Sequence, residues 1–226
     1  MASDYSSFYE EKALTYPERD EPSIVRYEKA LDLAQLRSGH LVLDVACKDA
    51  VLLDLLETRA IEASYTGLDI STRVIAKNVA KERKGRFVVE DVVRGTAFEP
   101  GSFDRVFALE ILEHVPAPTA MLAEVRRVLK DDGRLLISVP NPYYYMELVN
   151  EIRGRPDTDG HLFAFTDANL RALLGHAGFE VEDSVGTYLM VPRKLRGAFR
   201  DQDVWILRRV PRLLACSRVY RARKRA

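Results

Sequence analysis

The stretch His40-Leu-Val-Leu-Asp-Val-Ala-Cys-Lys-Asp-Ala50 decides how the rest of the chain is read. Leu41 to Val45 is a short apolar run broken by one acid, Asp44, which suits a strand buried on both faces of a sheet. It enters a tight turn at Ala46-Cys47-Lys48-Asp49-Ala50. A second strand-like run, Tyr65-Thr-Gly-Leu-Asp69, follows and also ends in an acid. Strand, turn, helix, strand and terminal acid make the plan of a nucleoside-binding α/β unit. A turn of that kind brings backbone close to its ligand and favours small side chains. Lys48 occupies the middle small-residue position and departs from the plan.

Working outward, Val51, Leu52, Leu55 and Leu56 mark a helix after the turn. Ser71 suits the N-cap of a helix running through Lys81. Strands are predicted at Arg86–Val89, Asp104–Leu109, Arg134–Val139 and Phe179–Val185. Helices are predicted at 116–130, at 148–152, and from the Thr166 cap to His176, with 157–160 as loop. Repeated strand–helix alternation argues for a doubly wound, mostly parallel α/β sheet with helices on both faces. Residues 1–38 form a helical preface, with Phe8 and Tyr9 as candidate flap residues and an apolar stripe at Ile24, Tyr27 and Leu31. Residues 39–191 form the core, and 192–226 an extension.

The chain has 226 residues, 34 basic and 34 acidic, and no apolar run near the ~20 residues of a membrane span. The N-terminus lacks a basic-then-apolar leader, and the two cysteines, Cys47 and Cys216, are far apart, so a cytoplasmic setting without disulfides or a metal centre is expected. The zero net charge conceals an asymmetry. Pro192–Ala226 holds twelve basic and two acidic residues, a net +10, leaving the preceding residues at −10. Pro211 reads as the first position of a helix to about Arg223. That basic helix either packs on the acidic body or makes peripheral contact with an anionic membrane; nucleic acid is not expected, since no such motif accompanies the charge. On either reading, truncation from about Val210 should spare a nucleoside site built from residues 41–115.

Six segments, in order, resemble the class I S-adenosylmethionine-dependent methyltransferases with a Rossmann-like fold: Val42–Ala50, Gly67–Ile70, Val89–Val92, Ser102–Val115, Val128–Asn141 and His161–Leu170 leading to Gly178-Phe179. The resemblance covers about residues 38–185 and departs from the family at the alternate glycines of the first turn. It implies S-adenosylmethionine as methyl donor, S-adenosylhomocysteine as product and a small-molecule acceptor, such as a sugar or glycan hydroxyl or a lipid-linked compound. It places Asp44 and Ala46 in the turn at the cofactor's amino-acid end. Asp69 would take the ribose hydroxyls and Asp91 the adenine amine, with Ile70 and Val92 on the ring. Leu109 and Glu110 would lie by the methionine moiety.

Each of these residues has a plainer reading. Asp69 suits the start of the following helix, and Asp91 a solvated loop. Lys48 points to solvent, pairs with the cofactor's carboxylate, or blocks the turn and leaves a non-catalytic methyltransferase-like binding protein. His114 and His161 are the candidate bases for a hydroxyl acceptor, His114 the better placed. Alternatively they bond backbone or anchor a loop. Tyr143-Tyr-Tyr145 either lines an acceptor pocket or packs one ring and exposes the others.

Overall fold

A computed structural model describes residues 5–14, 20–155, 160–192 and 204–225. The N-terminal tetrapeptide, Tyr16, residues 157–159 of the expected loop and the basic stretch 193–203 lie outside the described residues.

The helices are α1 (Tyr5–Lys12), α2 (Glu21–Ala34), α3 (Val51–Thr58), α4 (Thr72–Ala80), α5 (Pro118–Val128), α6 (Tyr145–Ile152) and α7 (Asp167–His176). The strands are β1 (Leu41–Val45), β2 (Ser64–Asp69), β3 (Arg86–Val89), β4 (Phe103–Leu109), β5 (Leu129–Pro140), β6 (Phe179–Gly186), β7 (Leu189–Pro192), β8 (Val204–Leu207) and β9 (Ser217–Lys224). Seven of them form one sheet in the order β3-β2-β1-β4-β5-β9-β6, while β7 and β8 form a separate antiparallel pair. The pairs from β3 to β5 are all parallel, and β9 runs antiparallel to both its neighbours. The sheet is the class I methyltransferase arrangement of a Rossmann-like fold. Strand β5 starts earlier than the expected Arg134; a register shift opposite Phe103–Arg105 accommodates the Asp131–Gly133 corner.

Side-chain alternation divides the core between the two faces. Leu43 and Val45 join Met121, Leu122 and Val125 of α5 and Leu170 and Leu174 of α7. Val42 faces the other way, with Tyr27, Ala30 and Leu31 of α2 and Leu52 and Leu56 of α3. The apolar stripe of the preface is therefore core. Asp20 caps α2, accepting from Ser23 N at 2.6 Å, and Gln35 ends it in the left-handed region at φ 50°.

The largest correction concerns the tail. The helix expected from Pro211 to Arg223 is instead a turn, with Leu214 N donating to Pro211 O at 2.9 Å, followed by β9. This strand lies between β5 and β6, so the supposed extension supplies an interior strand. Val219, Tyr220 and Ala222 are buried, Val219 in one core and Tyr220 and Ala222 in the other. The arginines are held by the acidic body: Arg223 bonds Glu180 at 2.7 Å, Arg221 bonds Glu182 at 3.1 Å and the Leu33 carbonyl at 3.0 Å, and Lys224 reaches Asp131 at 3.0 Å. Packing on the body was the right relation in the wrong element, and the amphipathic helix behind the membrane reading is not there.

Candidate functional site

In a sheet of this kind the strand order reverses between β1 and β4, and a crevice opens beyond the strand ends there. Here the crevice is a cleft of about 540 Å3, within the size range of small-molecule sites.

The β1–α3 turn forms one wall. Ala46, Lys48 and Ala50 all adopt left-handed backbone, at φ 57°, 45° and 53°. These are the alternate positions where glycine would be unstrained, and a side chain there costs ~1–2 kcal/mol. The turn is held from outside. Cys47 N donates to Leu68 O at 3.0 Å, Lys48 N to Asp69 Oδ2 at 3.2 Å, and Asn78 Nδ2 to Lys48 O at 2.6 Å. Lys48 is half-buried and lines the cleft; burial lowers the pKa of its ammonium, with Asp20 and Asp49 opposing. The side chain thus adapts to the turn without abolishing it.

Asp44 lies beneath this wall and is not part of the cleft lining. It is fully buried, accepting from Tyr27 Oη at 3.0 Å and Tyr65 Oη at 2.9 Å. Burial raises its pKa to about 7 against those two hydrogen bonds. Gly67 makes the arrangement possible, because an added Cβ would sit 2.9 Å from Cys47 Sγ and 3.0 Å from Tyr65 Oη.

Asp69 ends β2 and faces the cleft. Its Oδ1 accepts from Ser71 N at 3.0 Å, so it also supports the start of α4, as the plainer reading expected. Burial raises its pKa to about 6, against the backbone donors. Ile70 follows it into the lining, as do Asp91 and the buried Val92 after β3. Asp91 accepts from Val93 N at 2.9 Å and from the hydroxyl of Tyr5 on α1. That helix buries no residue of its own, but Tyr5 and Tyr9 line the cleft and Glu10 bonds Ser71 and Thr72. Phe8 stays largely exposed.

The opposite wall begins where β4 ends. Leu109 is buried, and Glu110 turns the chain at φ 52°, its amide bonded to Ser138 and its carboxylate 3.9 Å from Arg26. Beyond it, Leu162 N and Phe163 N both donate to Glu113 O, at 2.7 and 3.2 Å. This pins the segment before α7 to the end of β4 and brings His161 beside His114, ring centroids 4.8 Å apart. His114 Nδ1 lies 3.3 Å from the Gly160 carbonyl, an acceptor only, which assigns the Nδ1–H tautomer and leaves Nε2 towards Glu113 Oε1 at 3.9 Å. Both histidines line the cleft.

Two residues of this wall were not foreseen. Glu113 is 1% exposed, and neither carboxylate oxygen has a hydrogen-bond partner among the described residues. Burial, reinforced by Glu110, raises its pKa well above the ordinary value. Its sequence signal was an acid set inside the apolar run Ile111–Val115. Arg26, on α2, is half-buried, its Nε enclosed and without a hydrogen-bond partner among the described residues; desolvation disfavours its charge, but Glu110 together with Tyr188, Tyr27 and Asp20 outweighs this and its pKa rises. One basic residue in a helix with an apolar stripe carries little signal. Conversely, Tyr143–Tyr145 do not reach the cleft. Tyr144 is buried, Tyr145 bonds Met190 O at 2.8 Å and Tyr143 is exposed.

A methyltransferase-domain family profile matches residues 20–184. The ubiquinone biosynthesis O-methyltransferase of Pseudomonas paraeruginosa is 31% identical over 181 residues, covering 74% of this chain and 76% of that one. An S-adenosylmethionine-dependent methyltransferase from Mesorhizobium loti superposes with a TM-score of 0.62 at 13% identity, over 88% of this chain and 98% of its own. The [4+2]-cyclase SpnF does so at 0.64 and 18%, over 90% and 82%. Likeness at those identities concerns the fold, which carries more than one chemistry. Among the described residues no helix is long and apolar enough to cross a membrane.

Proposed function

This chain belongs to the S-adenosylmethionine-dependent methyltransferases, and on that premise we propose that it methylates an oxygen of a small-molecule hydroxyl acceptor. The supporting observation is the cluster of Glu113, His114 and His161 on the cleft wall at the end of β4. Sulfonium methyl transfer needs alignment above all, but a hydroxyl must also lose its proton. Two imidazoles and a carboxylate facing one another meet that second need. The relatives of about 30% identity are named for ubiquinone biosynthesis, which favours a lipid-linked phenolic hydroxyl over a glycan hydroxyl.

The donor would lie along the other wall. Asp69 offers its carboxylate to the ribose hydroxyls, and Asp91 accepts from the adenine amine once the Tyr5 hydroxyl yields, with Ile70 and Val92 flanking the ring. Ala46 and Lys48 present the turn to the amino-acid end, and Arg26 supplies its free Nε–H to the carboxylate there. Leu109 and Glu110 border the methionine chain. Asp44 acts from beneath, holding the turn through its two tyrosines. Transfer forms the acceptor O–CH3 bond as the C–S bond breaks, its electron pair passing to sulfur in S-adenosylhomocysteine.

The test is single-turnover transfer at saturating S-adenosylmethionine to a panel of catechols, polyprenylated phenols and sugars. The proposal expects a phenolic product and a ~10²–10⁴-fold loss in His114→Ala, with a smaller loss in His161→Ala. Transfer to nitrogen or sulfur alone, or wild-type rates in His114→Ala, would overturn it.

A further inference from the structure

We propose, resting on the O-methylation reading and deepening it, that Tyr9 on α1 is the ring against which the acceptor's aromatic ring packs, so that this residue selects phenolic acceptors. Among the described residues three phenols line the cleft, Tyr5, Tyr9 and Tyr27. Two are committed to acids on the cofactor side, Tyr5 donating to Asp91 and Tyr27 to Asp44. Tyr9 is turned to the opposite wall, its ring edge-on to His114 at 5.9 Å between centroids.

That position follows from how α1 is seated. A helix of eight residues is too short to persist in water on its own, and α1 buries none of its residues. It is fastened at both walls instead. Tyr5 and Glu10 tie it to Asp91, Ser71 and Thr72. On the other side, a Cβ added to Gly160 would sit 3.1 Å from the Phe8 ring. The carbonyl of the same Gly160 fixes His114 through Nδ1. Phe8 and Tyr5 also brace the Tyr9 ring edge-on, at 5.0 and 6.3 Å between centroids. The helix therefore holds one supported ring beside the candidate base.

Distance and chemistry point the same way. A hydroxyl that gives its proton to His114 Nε2 must come within about 2.6–3.2 Å of it. An aryl ring carrying that hydroxyl is then set beside Tyr9, which already stands within the ~4.5–7 Å at which aromatic rings pair with the imidazole. Edge-to-face pairs gain more than the area they bury, a gain that a polyol does not reproduce. Tyr9 is half-buried on the cleft wall, so a ring bound there covers apolar surface that is otherwise wet. The run Tyr143–Tyr145 does not reach the cleft, and the acceptor's ring meets Tyr9 in its place. Tyr9 touches the acceptor's ring and not the reacting oxygen, so its loss weakens binding more than it slows transfer.

The test titrates catechol into full-length wild type, Tyr9→Phe and Tyr9→Leu with excess S-adenosylhomocysteine present, following the catechol signals by NMR, with glycerol as the non-aromatic control. Wild type and Tyr9→Phe should bind catechol alike, and Tyr9→Leu about tenfold more weakly. Glycerol should show no dependence on residue 9. Nuclear Overhauser contacts from catechol to the Tyr9 ring of the wild type are expected, and they decide the question even if Tyr9→Leu unseats α1. Absence of those contacts, or equal catechol affinity in Tyr9→Leu and wild type, would overturn the proposal. The catechol dependence of single-turnover transfer from S-adenosylmethionine separates the two readings. Catechol that binds against Tyr9 without being methylated would sink O-methylation of phenols and leave the subsite standing. Transfer to catechol with the same concentration dependence in wild type and Tyr9→Leu would keep O-methylation and remove Tyr9 from it.

Discussion

The two edges of the sheet are built in different ways. On the β3-β2-β1 side each new strand lies beside the one before it, after one intervening helix or turn, and the cleft-lining acids sit at the strand ends. On the β5-β9-β6 side the neighbour of β5 arrives last in the chain, enters antiparallel between two strands already placed, and carries arginines at Arg218, Arg221 and Arg223. The first edge is local in sequence and apolar in pattern. The second is closed by a non-local strand whose charges are matched only after folding. The acids proposed to meet the cofactor collect on the first edge, while the second supplies much of the sheet's interior bonding.

Removing the last strand gives the sharpest break. Deletion from Val210 was expected to spare the nucleoside site, but β9 pairs with β5 over six positions and with β6 over seven. Asn141, at the end of β5, also loses both carbonyl acceptors, Leu213 O at 2.9 Å and Ala215 O at 2.8 Å. The truncated chain should therefore be insoluble, or lack a cooperative melt and S-adenosylhomocysteine binding. Recovery of a folded, nucleoside-binding fragment would show that the two edges are energetically separable.

This contrast also explains what was legible from residues alone. Strands β1, β2, β3 and β4 and helices α3 and α4 were readable because short apolar runs, the Ser71 cap and terminal acids are local signals. Strand β9 was not, because its alternation is broken by the adjacent buried pair Val219-Tyr220 and its arginines find partners on β6 and α2. At the site, Asp69, Asp91, His114 and His161 were each visible as chemistry at an element end. That His114 and His161 stand together depends on backbone bonds to the Glu113 carbonyl across almost fifty residues, which no local pattern encodes.

A pH titration probes the floor of the cofactor edge. The folded-state pKa of Asp44, raised to about 7, lies above its unfolded value, so the native state holds a proton that the unfolded chain releases. The stability this group contributes is complete below about pH 4 and is lost as pH rises to about 7; a shift of this size corresponds to something on the order of 4 kcal/mol. Asp69, raised to about 6, acts in the same direction over a narrower window. Asp44→Asn should flatten the decline in Tm between about pH 4 and 7 relative to wild type. Parallel profiles for the two proteins would mean that Asp44 ionises freely beneath the turn.

Asp69→Ala tests the same edge through its ligand. Two charge-assisted hydrogen bonds to the ribose, each worth ~1.5–3 kcal/mol, would be lost, and S-adenosylhomocysteine affinity should fall about a hundredfold or more. Tm should be recorded alongside, since Asp69 also accepts from Lys48 N and Ser71 N. An unchanged Kd in a folded variant would reduce Asp69 to a support for the turn and α4.

Lys48→Gly has the smallest expected effect and asks whether the odd residue in the turn is tolerated or used. Glycine removes a left-handed side chain at φ 45° at little further cost in a turn already tied to β2 and α4. The gain should be ~1 kcal/mol, a rise in Tm of about 2–4 °C for a chain of this length. The ammonium lies in the cleft wall with Arg26 also present, so a carboxylate there has a second cation to meet. Nucleoside affinity should therefore hold or improve. A higher Tm with affinity more than tenfold weaker would separate the two effects. Lys48 would then be a strained residue retained because it touches the cofactor, and the turn would serve the ligand through its side chain as well as its backbone.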